Sequence, residues 1–193
     1  MATARTTYQD GRGAEGAAPA GDRFVWVSLH DPSPEELASV RHEFGLPGPL
    51  VGDPATSANR PALEVSGELV FAEVKTIRWV AAEEAVRIGK VQLVVGDGFV
   101  VSVDRDERAV ERVGQDLRAD AELAGAGPAA VLTCFLDHAV ECYGPVLSAL
   151  NDAVDEAAQA VFSAGRSRPT ERLYHLARQV LEFRRAAGPL AEM

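Results

Sequence analysis

The chain has 193 residues, enough at about 150 residues per domain for one domain or one domain with an appendage. Nineteen Lys and Arg against 29 Asp and Glu give a formal net charge of −10, which lacks the basic density that neutralises phosphates and argues against nucleic acid as a partner. Such an acidic balance suits cations or basic partners.

The N-terminus, MATARTTYQDGRG, has no apolar stretch of the kind a signal peptide needs. No uninterrupted apolar run reaches the length of about 18 residues that would mark a membrane span. The two cysteines, Cys134 and Cys142, are eight residues apart within one helical pattern. Their Cα atoms would lie about 12 Å apart along the axis, too far for a disulfide, so a reducing, cytosolic compartment is expected.

In chain order, residues 1–22 are rich in Gly, Ala, Thr and charge without an apolar period, and read as a disordered tail. Phe24 to Leu29 is β-branched and aromatic and predicts a strand. A helix start follows: Ser33 as cap, Pro34 at the first helical position and Glu36 completing a capping box. Leu37, Val40 and Phe44 keep helical spacing, and Gly45 supplies the stop. Residues 47–61 hold four of the eleven prolines and predict a loop.

Leu63 to Val65, Glu68 to Val80, Ala85 to Val95 and Phe99 to Val103 predict four strands. Ser66-Gly67 marks a turn after the first, and Gly96-Asp97-Gly98 a tight hairpin before the last. Glu107 to Asp120 then reads as a polar helix with Val110, Val113 and Leu117 on one side. From Pro128 an apolar stripe (Leu132, Phe135, Ala139, Tyr143, Val146, Leu150, Val154, Ala157, Val161) predicts one helix of about 34 residues and 50 Å. Pro145 is expected to kink it rather than end it. After a turn at residues 164–169, Leu173, Leu176, Val180, Phe183, Ala187 and Leu190 predict a second helix with a coiled-coil seam. That seam runs close to Met193 without a capping signal, so the chain is expected to be part of a longer protein. The fold class is therefore α/β (α+β). A mixed, largely antiparallel sheet flanked by helices occupies residues 23–127, and a long antiparallel helical hairpin follows over 128–193.

Several constellations have an ordinary structural explanation. Gly11 to Gly16 matches GxGxxG literally, but neither a predicted strand before it nor an apolar helix after it supports a dinucleotide site. Cys134, His138 and Cys142 share a helical face; neighbouring pairs could chelate zinc, but all three cannot reach one ion. Asp137 and Glu141 are four apart and repel; they fit either a solvated face or, as carboxylates, a hard-cation site. Asp53, an acid in the Pro-Gly loop, is a separate candidate. The histidines (His30, His42, His138, His175) form no HxH or HExxH arrangement, and nothing in the sequence argues for catalysis.

From Phe24 to the end, these pieces resemble the N-terminal cytoplasmic part of the CorA family of magnesium and divalent-cation channels. Trp26-Val27-Ser28-Leu29 resembles the family's opening Trp-x-x-Leu strand, with Pro32 and Glu36-Leu37 following, and Phe44-Gly45-Leu46 its Phe-Gly-hydrophobic turn. Asp53, Arg60-Pro61 and Glu64 are similar to its Glu-Asp…Arg-Pro-Lys-x-Glu segment. Leu136-Asp137 through Tyr143 and Val146-Leu147 are similar to its long helix, and Arg184-Arg185 with Pro189-Leu190 to the helix after it.

The resemblance implies a non-catalytic regulatory domain without organic cofactor. It would form a funnel as a homopentamer on the cytoplasmic side of the cell membrane, with the membrane helices beyond this chain. It further implies regulatory Mg²⁺, or another divalent cation, between subunits, with Asp53 and Asp137 at ligand positions. The sequence departs from the family pattern at Gly52, where Glu is frequent, and at Ala62 in place of Lys. The transported ion could be magnesium, cobalt, nickel or zinc. The competing readings are a stand-alone interaction module that docks a partner through the hairpin, and a zinc enzyme using Cys134 and His138.

Overall fold

A computed structural model of the chain describes residues 2–9, 12–15, 23–47, 63–104, 107–162 and 169–188. The strand β3 (Arg23–His30) lies in the interior of its sheet. Phe24 and Trp26 point to one side of the sheet, and Val25, Val27 and Leu29 to the other, and all five are buried. A strand apolar at four successive positions, Phe24 to Val27, must be covered on both faces, and β3 is. It runs parallel to β7 (Phe99–Asp104) and antiparallel to β1 (Ala2–Gln9). With β2 (Arg12–Glu15), β4 (Leu63–Ser66), β5 (Leu69–Val80) and β6 (Ala85–Gly96), the described residues form one seven-stranded sheet in the order β2-β1-β3-β7-β6-β5-β4. The β3–β7 pair is parallel and the others antiparallel, as the mixed-sheet expectation required.

Residues 2–9 and 12–15 correct the expectation of a disordered tail over 1–22. Thr6, Thr7 and Tyr8 pair with Trp26, Val25 and Phe24, closing an edge of β3 that would otherwise expose its backbone donors and acceptors. Composition misjudged this segment because its partner strand, rather than its own apolar content, orders it. The GxGxxG match falls partly here too, and its residues 12–15 are strand β2.

One face of the sheet carries α1 (Pro34–Glu43). Ser33 accepts a hydrogen bond from the Glu36 amide at 3.2 Å, and the Ser33 amide donates to the Glu36 carboxylate at 2.7 Å, the reciprocal cap expected. Gly45, at φ +61°, ends the helix, and the Leu46 amide donates to the Arg41 carbonyl. Val40 and Leu46 seal Val25, Val27, Leu29, Phe71, Val94 and Val101. The β4–β5 turn is Gly67-Glu68, one residue later than expected, since Ser66 pairs with Leu69 and Gly67 takes φ +61°.

The opposite face carries α2 (Glu107–Ala119), the short α3 (Ala121–Gly125) and the first half of α4 (Pro128–Phe162). Val113, Leu117, Val131 and Phe135 pack there against Trp26, Val74, Val91, Leu93 and Val100. Phe135 meets Trp26 edge to face at 5.8 Å, and the Trp26 indole donates to the Ser102 hydroxyl at 2.9 Å, so the buried ring is both packed and satisfied.

α4 is a single helix of 35 residues that continues through Pro145, about 50 Å of rod. Its second half leaves the sheet and pairs with α5 (Pro169–Ala187). Ala153 and Ala157 meet Leu173 and Leu176, while Tyr143, Val146 and Leu150 meet Phe183 and Ala186; the order reverses, so the helices are antiparallel. The expected α5 seam shifts: Leu176 and Ala186 are buried, whereas Val180 is 40% exposed. The cause lies in the β5–β6 hairpin, whose Ile77, Trp79 and Val86 reach this region and rotate the buried face of α5 toward them. Leu190 lies outside the described residues.

Candidate functional site

Asp137 is exposed on the solvent side of α4, three residues from buried Cys134 and two from buried Phe135. Helical phase produces this: the core takes Val131, Phe135, Ala139, Val146 and Leu150, and the residues between them face outward. Glu141, one turn on, is exposed as well, as are Gly144 and Pro145. Pro145 has no N–H to give the Glu141 carbonyl, so the helix loses an internal hydrogen bond beside two carboxylates. Carboxylate and carbonyl oxygens are the donors hard cations take. Asp53, the other expected ligand, lies outside the described residues, as do Gly52 and Ala62. Among the described residues no group of three or more His, Cys, Asp and Glu side chains converges on one point.

The zinc constellation is not assembled as a site. His138 Nε2 lies 3.8 Å from Cys142 Sγ. Cys134 is turned into the core, and burial, with the nearby charges of Asp116 and Asp137, pushes its thiol up to about 11. Zinc binds thiolate, and this environment favours the neutral thiol.

A polar cluster that the sequence reading missed joins α5 to the tip of the β5–β6 hairpin. Glu84, in the left-handed region at φ +46°, closes that tip. Arg172 grips its carboxylate with Nε at 3.0 and 3.1 Å and Nη2 at 2.5 Å, and Nη2 also reaches Glu156 of α4 at 3.0 Å. His175 Nε2 donates to the Glu84 carbonyl at 2.9 Å, and the Val86 amide donates to Gln179 at 3.0 Å. The Arg172 hydrogen bond holds the Glu84 carboxyl below its ordinary value, and Arg172 is raised in turn. The pairing spans 88 residues; its only trace in the sequence is the phase of Arg172, His175 and Gln179 along α5.

A second pair closes the end of the parallel strands. His30 Nδ1 lies 2.7 Å from the Asp104 carboxylate, which is almost wholly buried. On the α1 face, Arg5, Val27, Leu29, Glu36, Ser39, Val40 and Glu43 line a cleft of about 200 Å³, below the size typical of small-molecule sites. No described helix is long and apolar enough to cross a membrane.

The family model described as "CorA-like Mg2+ transporter protein" matches residues 21–193. No curated protein sequence matches the chain. Among solved structures, full-length CmaX aligns over 97% of this chain and 61% of its own, at 17% identity and a TM-score of 0.70. The complete CorA magnesium transporter from Methanocaldococcus jannaschii aligns over 100% and 61%, at 16% identity and 0.72. The ZntB cytoplasmic domain from Vibrio parahaemolyticus RIMD 2210633 aligns over 98% and 77%, at 12% identity and 0.68. At these identities the structures share a fold with this chain, which spans about three fifths of the first two proteins.

Proposed function

The chain belongs to the CorA-like Mg2+ transporter family, and on that premise we propose that it is the cytoplasmic, non-catalytic portion of a divalent-cation transporter. In this reading it senses the cytosolic cation and biases the pore. The observation that carries the proposal is the family match over residues 21–193 together with an unburied carboxylate, Asp137, on the outward face of the long helix.

Copies of the chain associate, as a homopentamer in the whole transporter. In this reading Asp53 and Asp137 supply carboxylates to a cation site at the boundary between copies. Without cation, like charges there repel. Bound Mg²⁺ neutralises them and favours the closed arrangement; its loss when the cytosolic concentration falls releases the closed population. The ion shifts gating only by its differential affinity for the two states. Support for a hard cation at this boundary comes from the exposed carboxylates of Asp137 and Glu141, one helical turn apart. The stand-alone module and the zinc enzyme have no comparable observation behind them.

Thermal melting of the assembled protein with increasing Mg²⁺ tests this reading. A ligand held only by the native state at about 100 times its Kd stabilises by about 2.7 kcal/mol, so the midpoint is expected to climb with Mg²⁺ in the wild type and to stay flat in Asp53→Ala and Asp137→Ala. Three curves that climb together would remove both residues from the mechanism.

A further inference from the structure

The buried apolar side chains fall into two bodies. Val74, Val91, Phe135 and Ala139 belong to a cluster on the sheet, whereas Ile77, Val86, Val146 and Leu150 belong to one on the helical hairpin. Among the described residues no side chain belongs to clusters of both bodies. Three segments run from one body to the other, and each shows where the boundary falls. It lies between Val74 and Ile77 on β5, between Val86 and Val91 on β6, and between Ala139 and Cys142 on α4.

Every crossing is weak. On α4 the hydrogen bond that Pro145 cannot donate would have ended on the Glu141 carbonyl, at the boundary, and the preceding Gly144 is a poor helix former. Gly and Pro are the residues at which helices bend. On the β5–β6 ribbon, Lys75 stands directly opposite Lys90 and Thr76 opposite Gly89. A like-charge pair across a ladder is destabilising, and a strand glycine has no side chain to pack; Glu73, 3.5 Å from Lys90, offsets part of the repulsion. The hairpin body itself is firmly tied. Arg172 grips Glu84 and Glu156, and Gln179 accepts from the Val86 amide, and all five residues lie on the same side of the boundary. At its near edge the Tyr143 hydroxyl is buried with no hydrogen-bond partner among the described residues, a cost that a change of angle admitting water removes.

We propose that α5, the second half of α4 and the tip of the β5–β6 ribbon form one rigid arm that rocks on the α/β core. Its hinge is Gly144-Pro145 on α4 together with the Lys75–Lys90 and Thr76–Gly89 pairs on the ribbon. Hinge closure of this kind needs only a few residues that absorb the angular change between packed bodies. The Glu84 latch lies wholly on the arm, so rocking leaves it intact and keeps the ribbon tip moving with both helices. Asp137 stays with the core, while Asp152 and Asp155 travel with the arm. Rocking therefore changes the angle between the Asp137 face and the far end of the hairpin without unfolding either. The inference concerns the chain alone and does not depend on cation binding.

Double electron–electron resonance between nitroxide labels on the full chain tests it. Cys142→Ser removes the accessible native thiol, and Cys134 is buried. Labels at Gln115 on α2 and Ala158 on α4 report core to arm, and labels at Ala158 and Arg185 report within the arm; all three positions are exposed. Measurement in EDTA removes divalent cation, and dilution into unlabelled chain confines the signal to distances within one copy. The core-to-arm distribution is expected to be about twice as broad as the one within the arm. Gly144→Ala with Pro145→Ala restores the α4 hydrogen bond, and a Cβ at Gly144 meets no atom within 4 Å, so this variant folds. It is expected to narrow the core-to-arm distribution to the width seen within the arm and to leave the latter unchanged. A core-to-arm distribution as narrow as the internal one in the wild type overturns the rocking arm. A broad distribution that the double substitution does not narrow overturns the hinge at Gly144-Pro145.

Discussion

Cys134 and Asp137 are three residues apart on α4 and end in opposite environments, one thiol in the core beside Phe135 and one carboxylate in water. With the Cys134 thiol pushed up to about 11, little thiolate exists at neutral pH, and thiolate is the reactive form. Alkylation of the native protein near pH 8 is therefore expected at Cys142 before Cys134, read by peptide mass mapping; equal labelling of both would contradict the packing described. Phe135, with no exposed surface, is the deeper test of that packing: Phe135→Ala is expected to cost about 3–5 kcal/mol in denaturant unfolding, and a loss under 1 kcal/mol would be incompatible with it. These environments were legible beforehand, because the period of the α4 stripe assigns Phe135 inward and Asp137 outward. The partners of Glu84 were not: a carboxylate at a strand turn has no local signal for an arginine 88 residues away.

The helix α5 is held to the sheet by Arg172, His175 and Gln179 on the β5–β6 tip and by apolar packing with Ile77, Trp79 and Val86, and to α4 by Leu173, Leu176 and Phe183. Arg172→Ala is expected to cost about 1 kcal/mol, since the Glu84 pair is partly exposed and screened. It should raise hydrogen exchange in α5 and at residues 81–86 while leaving β3 and β7 protected; exchange unchanged at the tip would show that the cluster holds nothing. Glu84 has a lowered folded value relative to its ordinary 4.5. A carboxylate depressed on folding stabilises fully above its unfolded value and loses that contribution as pH falls through the folded one. The wild type should therefore lose protection at the tip on acidification below about 4.5, and Arg172→Ala should lose less over the same window, because its Glu84 has less to give up.

At the element scale, local chemistry was readable wherever it is self-contained. The Ser33 cap, the Gly45 stop, the hairpin through Asp97-Gly98 and the uninterrupted α4 all follow from neighbours in sequence. The phase of α5 was not readable, because the β5–β6 hairpin, rather than α4 alone, decides which side of α5 is buried.

Over the whole molecule, the sheet's central strands announce themselves by being apolar at successive positions, while β1 and β2 do not. Thr6, Thr7 and Tyr8 become a strand because β3 offers an unpaired edge, a property of the assembled sheet. The long rod and its shorter partner were visible as periodicity and connect the α/β core to whatever the rod reaches. The candidate site was half visible: Asp137 lies where helical phase puts it, whereas Asp53, picked out as an acid in the Pro-Gly loop, lies outside the described residues. The functional account stands on these two residues holding one cation between copies of the chain. Isothermal titration of the assembled protein with Mg²⁺ measures that directly, comparing wild type with Asp53→Ala and Asp137→Ala. The account predicts a saturable binding event in the wild type that either substitution abolishes; identical binding in all three proteins would contradict it.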